Sequence, residues 1–344
     1  MKSALLYPAL VLGAVACSSD DSLTQPGTGE PSLAAAVTAA NSWSTRAAYP
    51  GNPINDGFAA MAPNAAGQSI VYYLGGEPRT EAEAVDGKPV KAYNVATNTW
   101  TTKAAKVEVW LSNGAGKIGS RIYFSGGLSM TDEFEHELFY TDEVWAYDYT
   151  SDRMIRKAGL PIVSAEGVSG VIGDKLYVLP GFCSTIFFPE PGYCSTSSNR
   201  RFFRYDPKTD RWVTRPWAPH NHARGAAGVI QGKLYVVGGD FNGGDTADLD
   251  MYDPATNRWT TLAPIPTAGP AIGAVLSGKF FVIVGSSDGS LRSYDYTPST
   301  NRWRARAAPA FAHDGVVRVT LGGSIRLLAV GRGDTPNPSE LYTP

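Results

Sequence analysis

The stretch YDPATNRW at residues 252–259 decides the fold, because close copies of it stand at YNVATNTW 93–100 and YDPKTDRW 205–212. The three share one Tyr-to-Trp spacing. Two altered copies fill the remaining intervals: YDYTSDRM at 147–154, with Met154 in place of the Trp, and YDYTPSTNRW at 294–303, read as two residues longer. Upstream lie six β-rich runs that end at a glycine: IVYYLGG at Gly76, RIYFSGG at Gly127, KLYVLPG at Gly181, KLYVVGG at Gly239, FFVIVG at Gly285 and IRLLAVG at Gly331. Glycine permits positive φ or close backbone approach where such a strand ends, and Asp-Pro presets the turn into the next strand.

The ends of the repeat array are informative. The last unit stops at LYTP, with Tyr342 and no Trp, while the first begins NSW, with Trp43 and no Tyr. Each end holds half of one repeat. A ring in which the N-terminal strand pairs beside the C-terminal strands reunites those halves and leaves no open seam.

The double glycine, Tyr and Trp, recurring with a period of about 45–58 residues, resemble kelch repeats throughout residues 41–344. The resemblance implies an all-β fold: a six-bladed kelch-type β-propeller with four-stranded blades, related to the galactose oxidase-like propellers and closed by the N-terminal strand. The expected boundaries are an outer strand of the last blade from about 41–49 and blades at about 54–105, 106–160, 161–217, 218–264, 265–309 and 310–344. Under this reading the repeat residues are structural.

Composition agrees with a globular β-protein. Of 344 residues, 43% are hydrophobic and 18% charged. Thirty basic side chains against thirty-two acidic ones leave a net charge of −2, without the basic excess that favours nucleic acid.

The N-terminus reads MKSALLYPALVLGAVAC, with Lys2 before an apolar stretch too short to span a bilayer. Ala14-Val15-Ala16 directly before Cys17 resembles the lipobox of bacterial lipoproteins. That resemblance implies a signal peptide at 1–16, lipidation of Cys17, a flexible tether at 17–40 and a cell-envelope protein, periplasm-facing or at the cell surface. Cys183 and Cys194 bracket a segment whose spacing suits a disulfide in an oxidising compartment.

Function belongs to the loops. Residues that enter the innermost strands line the mouth of the central channel, which nominates Asp56, Glu108, Trp110, Glu166, His222, Arg224, His313 and Asp314 as a polar pocket, with Trp110 able to stack on a sugar face. Glu166 and Arg224 are the candidate catalytic pair for proton transfer. The loop at 128–143 is acidic, and Asp132, Glu133, Glu135, His136 and Glu137 are weak candidates for a metal, though no complete ligand pattern is present. No cofactor is expected, and no hydrolase elbow, zinc-protease pair or phosphate loop is found.

Kelch propellers are mostly noncatalytic platforms, so the resemblance implies a monomer that binds a protein or glycan partner through its long-loop face and touches membrane only through a lipid anchor. Two other readings stand beside it: an exported sugar mutarotase or epimerase resembling sialic acid mutarotase, and a structural or adhesive surface protein.

Overall fold

The computed structural model describes residues 40–50, 55–78, 83, 86–130, 138–182, 200–241, 244–331 and 338–344. Cys17, Cys183, Cys194 and the loop residues Asp132, Glu133, Glu135, His136 and Glu137 lie outside them.

Six four-stranded antiparallel sheets follow one another, their innermost strands being Gly57–Pro63, Ala115–Ile118, Val168–Ile172, Ala226–Ile230, Ala271–Leu276 and Gly315–Leu321. We number the blades one to six in that order. A two-stranded ribbon, Asp240–Phe241 with Gly244–Asp245, is added on blade four.

The second strands are largely covered on both faces, and their sequences accordingly contain apolar runs such as Leu234 to Val237, LYVV. Packing is between blades rather than within them. Val71, Tyr73 and Tyr93 of blade one, for example, meet Val319, Leu328 and Leu341 of blade six. Glycines on inner strands serve the same packing: a Cβ on Gly170 would lie 2.6 Å from Leu234 of the next blade, and one on Gly228 2.9 Å from Phe280.

Blade six contains both chain ends. Strand Ser42–Ala48 pairs antiparallel with Pro338–Thr343, placing Trp43 opposite Tyr342. The ring is therefore closed by the N-terminal strand, as the split repeat implied.

The repeat phrase works as a clamp on the preceding blade. Its Tyr is buried in every blade, and the hydroxyl donates to the Asn or Asp five residues on: Tyr93 to Asn98 (2.6 Å), Tyr147 to Asp152 (2.8 Å), Tyr205 to Asp210, Tyr252 to Asn257 (2.7 Å) and Tyr296 to Asn301 (2.7 Å). That Asn or Asp sits at φ between 51° and 58°, a left-handed conformation these two residue types tolerate best after glycine. Its Oδ1 also accepts a backbone N–H from the blade before, and the phrase's Trp indole donates to the carbonyl of that same residue. Ala47 is held in this way by Asn98 and Trp100, Ala158 by Asp210 and Trp212, and Ala263 by Asn301 and Trp303.

At the closure the clamp is assembled from the two ends. Asn41 accepts from the Tyr342 hydroxyl (2.9 Å) and from the Ala307 N–H (3.1 Å), while Trp43 donates to the Ala307 carbonyl (2.7 Å). Blade five corrects one reading of the sequence. Tyr296, not Tyr294, occupies the clamp position, so YTPSTNRW has the ordinary spacing and nothing is inserted.

Two clamps are incomplete. Pro216 has no N–H to offer Asn257, though its carbonyl still accepts from Trp259 (2.9 Å). Met154 cannot reach the Ala104 carbonyl with an N–H, though Asp152 still accepts the Ala104 N–H (2.8 Å). Met154→Trp is therefore expected to stabilise the protein by about 1 kcal/mol, the net worth of one hydrogen bond. In a chain of this size that is a rise of roughly 2 °C in calorimetric Tm. A lower Tm would mean that the Met154 site is too small for an indole.

Candidate functional site

The segments that lead into the inner strands meet at one end of the central channel and are linked there by a backbone girdle. The N–H of Leu111 donates to the carbonyl of Asp56 (2.8 Å), Glu166 to Leu111 (2.6 Å), Arg224 to Glu166 (2.7 Å) and Ala271 to Arg224 (2.8 Å). Asp56, Leu111, Glu166 and Arg224 all take positive φ, at 67°, 54°, 58° and 58°. For non-glycine residues that conformation costs about 1–2 kcal/mol each, and it persists because both neighbours fix it.

Between blades six and one a side chain replaces the girdle. Buried Tyr73 accepts the Gly57 N–H (3.1 Å) and donates to the Asp314 carboxylate at 2.5 Å. Burial first, then the charge and hydrogen bond of Asp314, hold this phenol far above its ordinary value.

Below the girdle lies a cavity of about 560 Å³. Asp56, Glu166, Arg224 and Asp314 border it, over a wall of small and apolar side chains such as Ala59, Met61, Ile272 and Ile283.

Glu166 and Arg224 form a bidentate pair through Nε and Nη2, the latter bond 3.1 Å long. Arg224 Nη1 reaches Asp240 at 3.3 Å, and the guanidinium lies over the Phe182 ring, 5.2 Å from its centroid. Arg224 is half exposed while Glu166 is nearly covered. The hydrogen bond it donates to Glu166 raises the guanidinium pKa further. Tyr140, on the strand Leu138–Asp148, is close enough for the Glu166 charge to add to the effect of burial in raising its pKa.

The remaining candidates are placed differently. Trp110 is buried, with its backbone paired to Leu128, and is not among the residues bordering the cavity, so it offers no sugar-stacking face. Glu108 is exposed outside the cavity, where burial, then Glu143 and Asp86, raise its carboxyl pKa.

His222 and His313 are internal struts. His222 spans the Gly238 carbonyl (3.0 Å) and Asp250 (3.2 Å); His313 spans the Gly331 carbonyl (3.2 Å) and Glu340 (2.9 Å). His313 touches the cavity wall, but both of its ring nitrogens are engaged. Their residue types suited a ligand site, yet each is consumed by two acceptors of its own blade. Among the described residues no group of three His, Cys, Asp or Glu side chains is arranged to hold a metal ion.

Phe182, Asp240, Tyr140 and Tyr73 were not anticipated. A signal existed for two of them, since Phe182 and Asp240 are the first residues after the glycines of LPG and VGG.

A closed ring of six four-stranded blades around a channel defines a β-propeller. The Kelch motif matches at residues 166–216 and 222–266, so Glu166 opens the first matched repeat and Arg224 lies at the head of the second. The chain is a six-bladed β-propeller whose third and fourth blades carry the Kelch motif. It is 24% identical to Kelch-like protein 23 of Pongo abelii over 252 residues, covering 72% of this chain and 40% of that protein. It is 27% identical to Kelch-like protein terF of Aspergillus terreus over 251 residues, covering 68% and 52%. The chain thus spans about two fifths to half of these relatives' lengths. Among solved structures, the structure of YjhT superposes with a TM-score of 0.63 at 18% identity, covering 86% of this chain and 95% of that one; the likeness is one of fold.

Proposed function

We propose that this propeller is a noncatalytic binding platform for a protein or glycan, held in the bacterial cell envelope by lipid on Cys17. The observation that carries the reading is the state of Arg224. Glu166, Asp240 and Phe182 hold its guanidinium in one place at the rim of the channel while half of it stays exposed. Fixed donors lose little entropy on binding, so a rigid rim guanidinium suits recognition of carbonyl, hydroxyl or carboxylate oxygens. Both Glu166 oxygens are tied to Arg224, which weakens the case for that carboxylate as a free general base.

A second reading, an exported sugar mutarotase or epimerase, draws on the same pair. A carboxylate and a guanidinium named from sequence as a proton-transfer pair meet over a cavity able to hold a monosaccharide.

Ligand-detected proton NMR on freshly dissolved sugars, with wild type, Glu166→Ala and Arg224→Ala, tests both readings. The platform reading expects saturation transfer from a glycan, or none from any sugar together with a protein partner captured on the Arg224 face. In either case anomers approach equilibrium at the uncatalysed rate. Acceleration that is lost in both variants overturns it in favour of the enzyme.

A further inference from the structure

The net charge of −2 conceals a local excess of cations at the outer edge of blade five. Its fourth strand, Arg302–Arg306, reads RWRAR, and alternate residues share a sheet face, so Arg302, Arg304 and Arg306 lie together. Asp295 is opposite Arg304, and Phe281 is opposite Asp295. Phe281 packs on Tyr342 (4.6 Å) and Trp43 (6.1 Å), so this face looks toward blade six.

The other blades show that the fold does not require these charges. The equivalent positions are Thr99, Thr101 and Lys103 in blade one and Arg258, Thr260 and Leu262 in blade four. In blades two, three and four the basic residue that opens the second strand is matched by an aspartate that closes the third: Arg121 with Asp148 (3.4 Å), Lys175 with Asp206 (2.7 Å) and Lys233 with Asp253 (2.9 Å). Blade five has Thr297 there instead. Lys279 turns to Asp295 (3.8 Å), which also takes Arg304 (3.1 Å) and Arg306 (2.5 Å). Three cations therefore share one carboxylate, and Arg302 stands on the same face beside them, with Arg302 and Arg304 exposed.

The position of the patch gives it a partner. The polypeptide enters the propeller at Asn41, whose side chain is bound by the N–H of Ala307, the residue after Arg306. Whatever holds the N-terminal end of the chain is thus tied beside this edge.

We propose that the Arg302–Arg306 edge docks on anionic phospholipid headgroups. Guanidinium groups match phosphate oxygens bidentately, and a cluster of them gains from the negative surface potential of such a bilayer. The surface is a property of the propeller itself, so it stands or falls independently of lipid on Cys17.

Residues 40–344, whose ring closes on its own first strand, can be sedimented with sucrose-loaded vesicles of phosphatidylglycerol and phosphatidylcholine at low salt. Binding is expected with the mixed vesicles, not with phosphatidylcholine alone, and is expected to fade at high salt. Arg302→Gln with Arg304→Gln should lower the partition coefficient about thirtyfold, at roughly fivefold per charge. Arg211→Gln with Arg258→Gln, the same charge change on blades three and four, should leave it within about twofold of wild type, being remote from the patch. Unchanged melting temperatures would show that both variants fold. No phosphatidylglycerol-dependent binding, equal losses in the two double variants, or a short DNA duplex bound as tightly as the vesicles would each overturn the proposal.

Discussion

Removal of residues 40–48 from the propeller is expected to abolish its cooperative thermal transition, which residues 40–344 retain. The deleted strand supplies the fourth strand of blade six, the Asn41 acceptor and the Trp43 indole that together grip Ala307. Without it Tyr342 loses its hydroxyl partner, and Phe281 and Tyr342 lose the indole packed against both. Trp43→Ala alone should cost about 3–5 kcal/mol, the usual range for a packed aromatic. That is a large share of the roughly 5–15 kcal/mol by which domains are stable. Urea denaturation followed by far-ultraviolet circular dichroism measures both variants. An unchanged midpoint in the truncated protein would mean that the ring does not depend on its seam.

The second large effect is expected at Glu340. Its carboxylate accepts from buried His313 (2.9 Å) and from the N–H groups of Ala310 and Phe311 (3.0 Å each). Glu340→Ala leaves two amides and an imidazole without that acceptor inside the protein and should cost about 3–5 kcal/mol, as when one member of a buried pair is removed. The wild-type carboxyl also carries a pH signature. Burial pushes its pKa up, but His313 and the two amides outweigh this and hold it below the ordinary 4.5. Asp250 is likewise held below 3.8, burial being opposed by His222 and Thr261.

A carboxyl with a depressed folded pKa contributes stability above its unfolded pKa and loses it as pH falls through the folded value. Both pairs should therefore stabilise the protein fully above about pH 5 and progressively less below about pH 4. In urea melts between pH 3 and 6, Glu340→Gln should show a shallower acid loss than wild type. A parallel acid profile would mean that Glu340 takes no part in it.

Blade number and the sharing of one blade by both ends were legible in the sequence because the clamp needs fixed residue types at fixed spacing. A Tyr must reach an Asn or Asp five residues away, and a Trp must reach across to the neighbouring blade. The altered copy at 294–303 misled because Tyr294 and Tyr296, two residues apart, share one sheet face, and only strand register tells which of them stands opposite Trp303. Glu166 and Arg224 were legible as a pair because both precede an inner strand. His222 and His313 share that position class, but whether a side chain turns to the channel or into its own blade depends on a carboxylate such as Asp250 or Glu340, far along the chain. Trp110 failed for the same reason: its burial is set by the blade-two hairpin, which no local pattern announces. The cationic edge of blade five was invisible in the total charge because acidic residues elsewhere cancel it.

The seam has a kinetic side. Strand Ser42–Ala48 is among the first parts of the propeller to be synthesised, yet its sheet partner, Pro338–Thr343, is the last. At about 5–20 residues per second, the first strand waits roughly 15–60 s with an unpaired edge before the ring can shut. Blades one to five can each form from contiguous chain during that time, but the final step joins residues 301 positions apart, as in Tyr342 with Asn41. Such high contact order makes closure the slow event in folding.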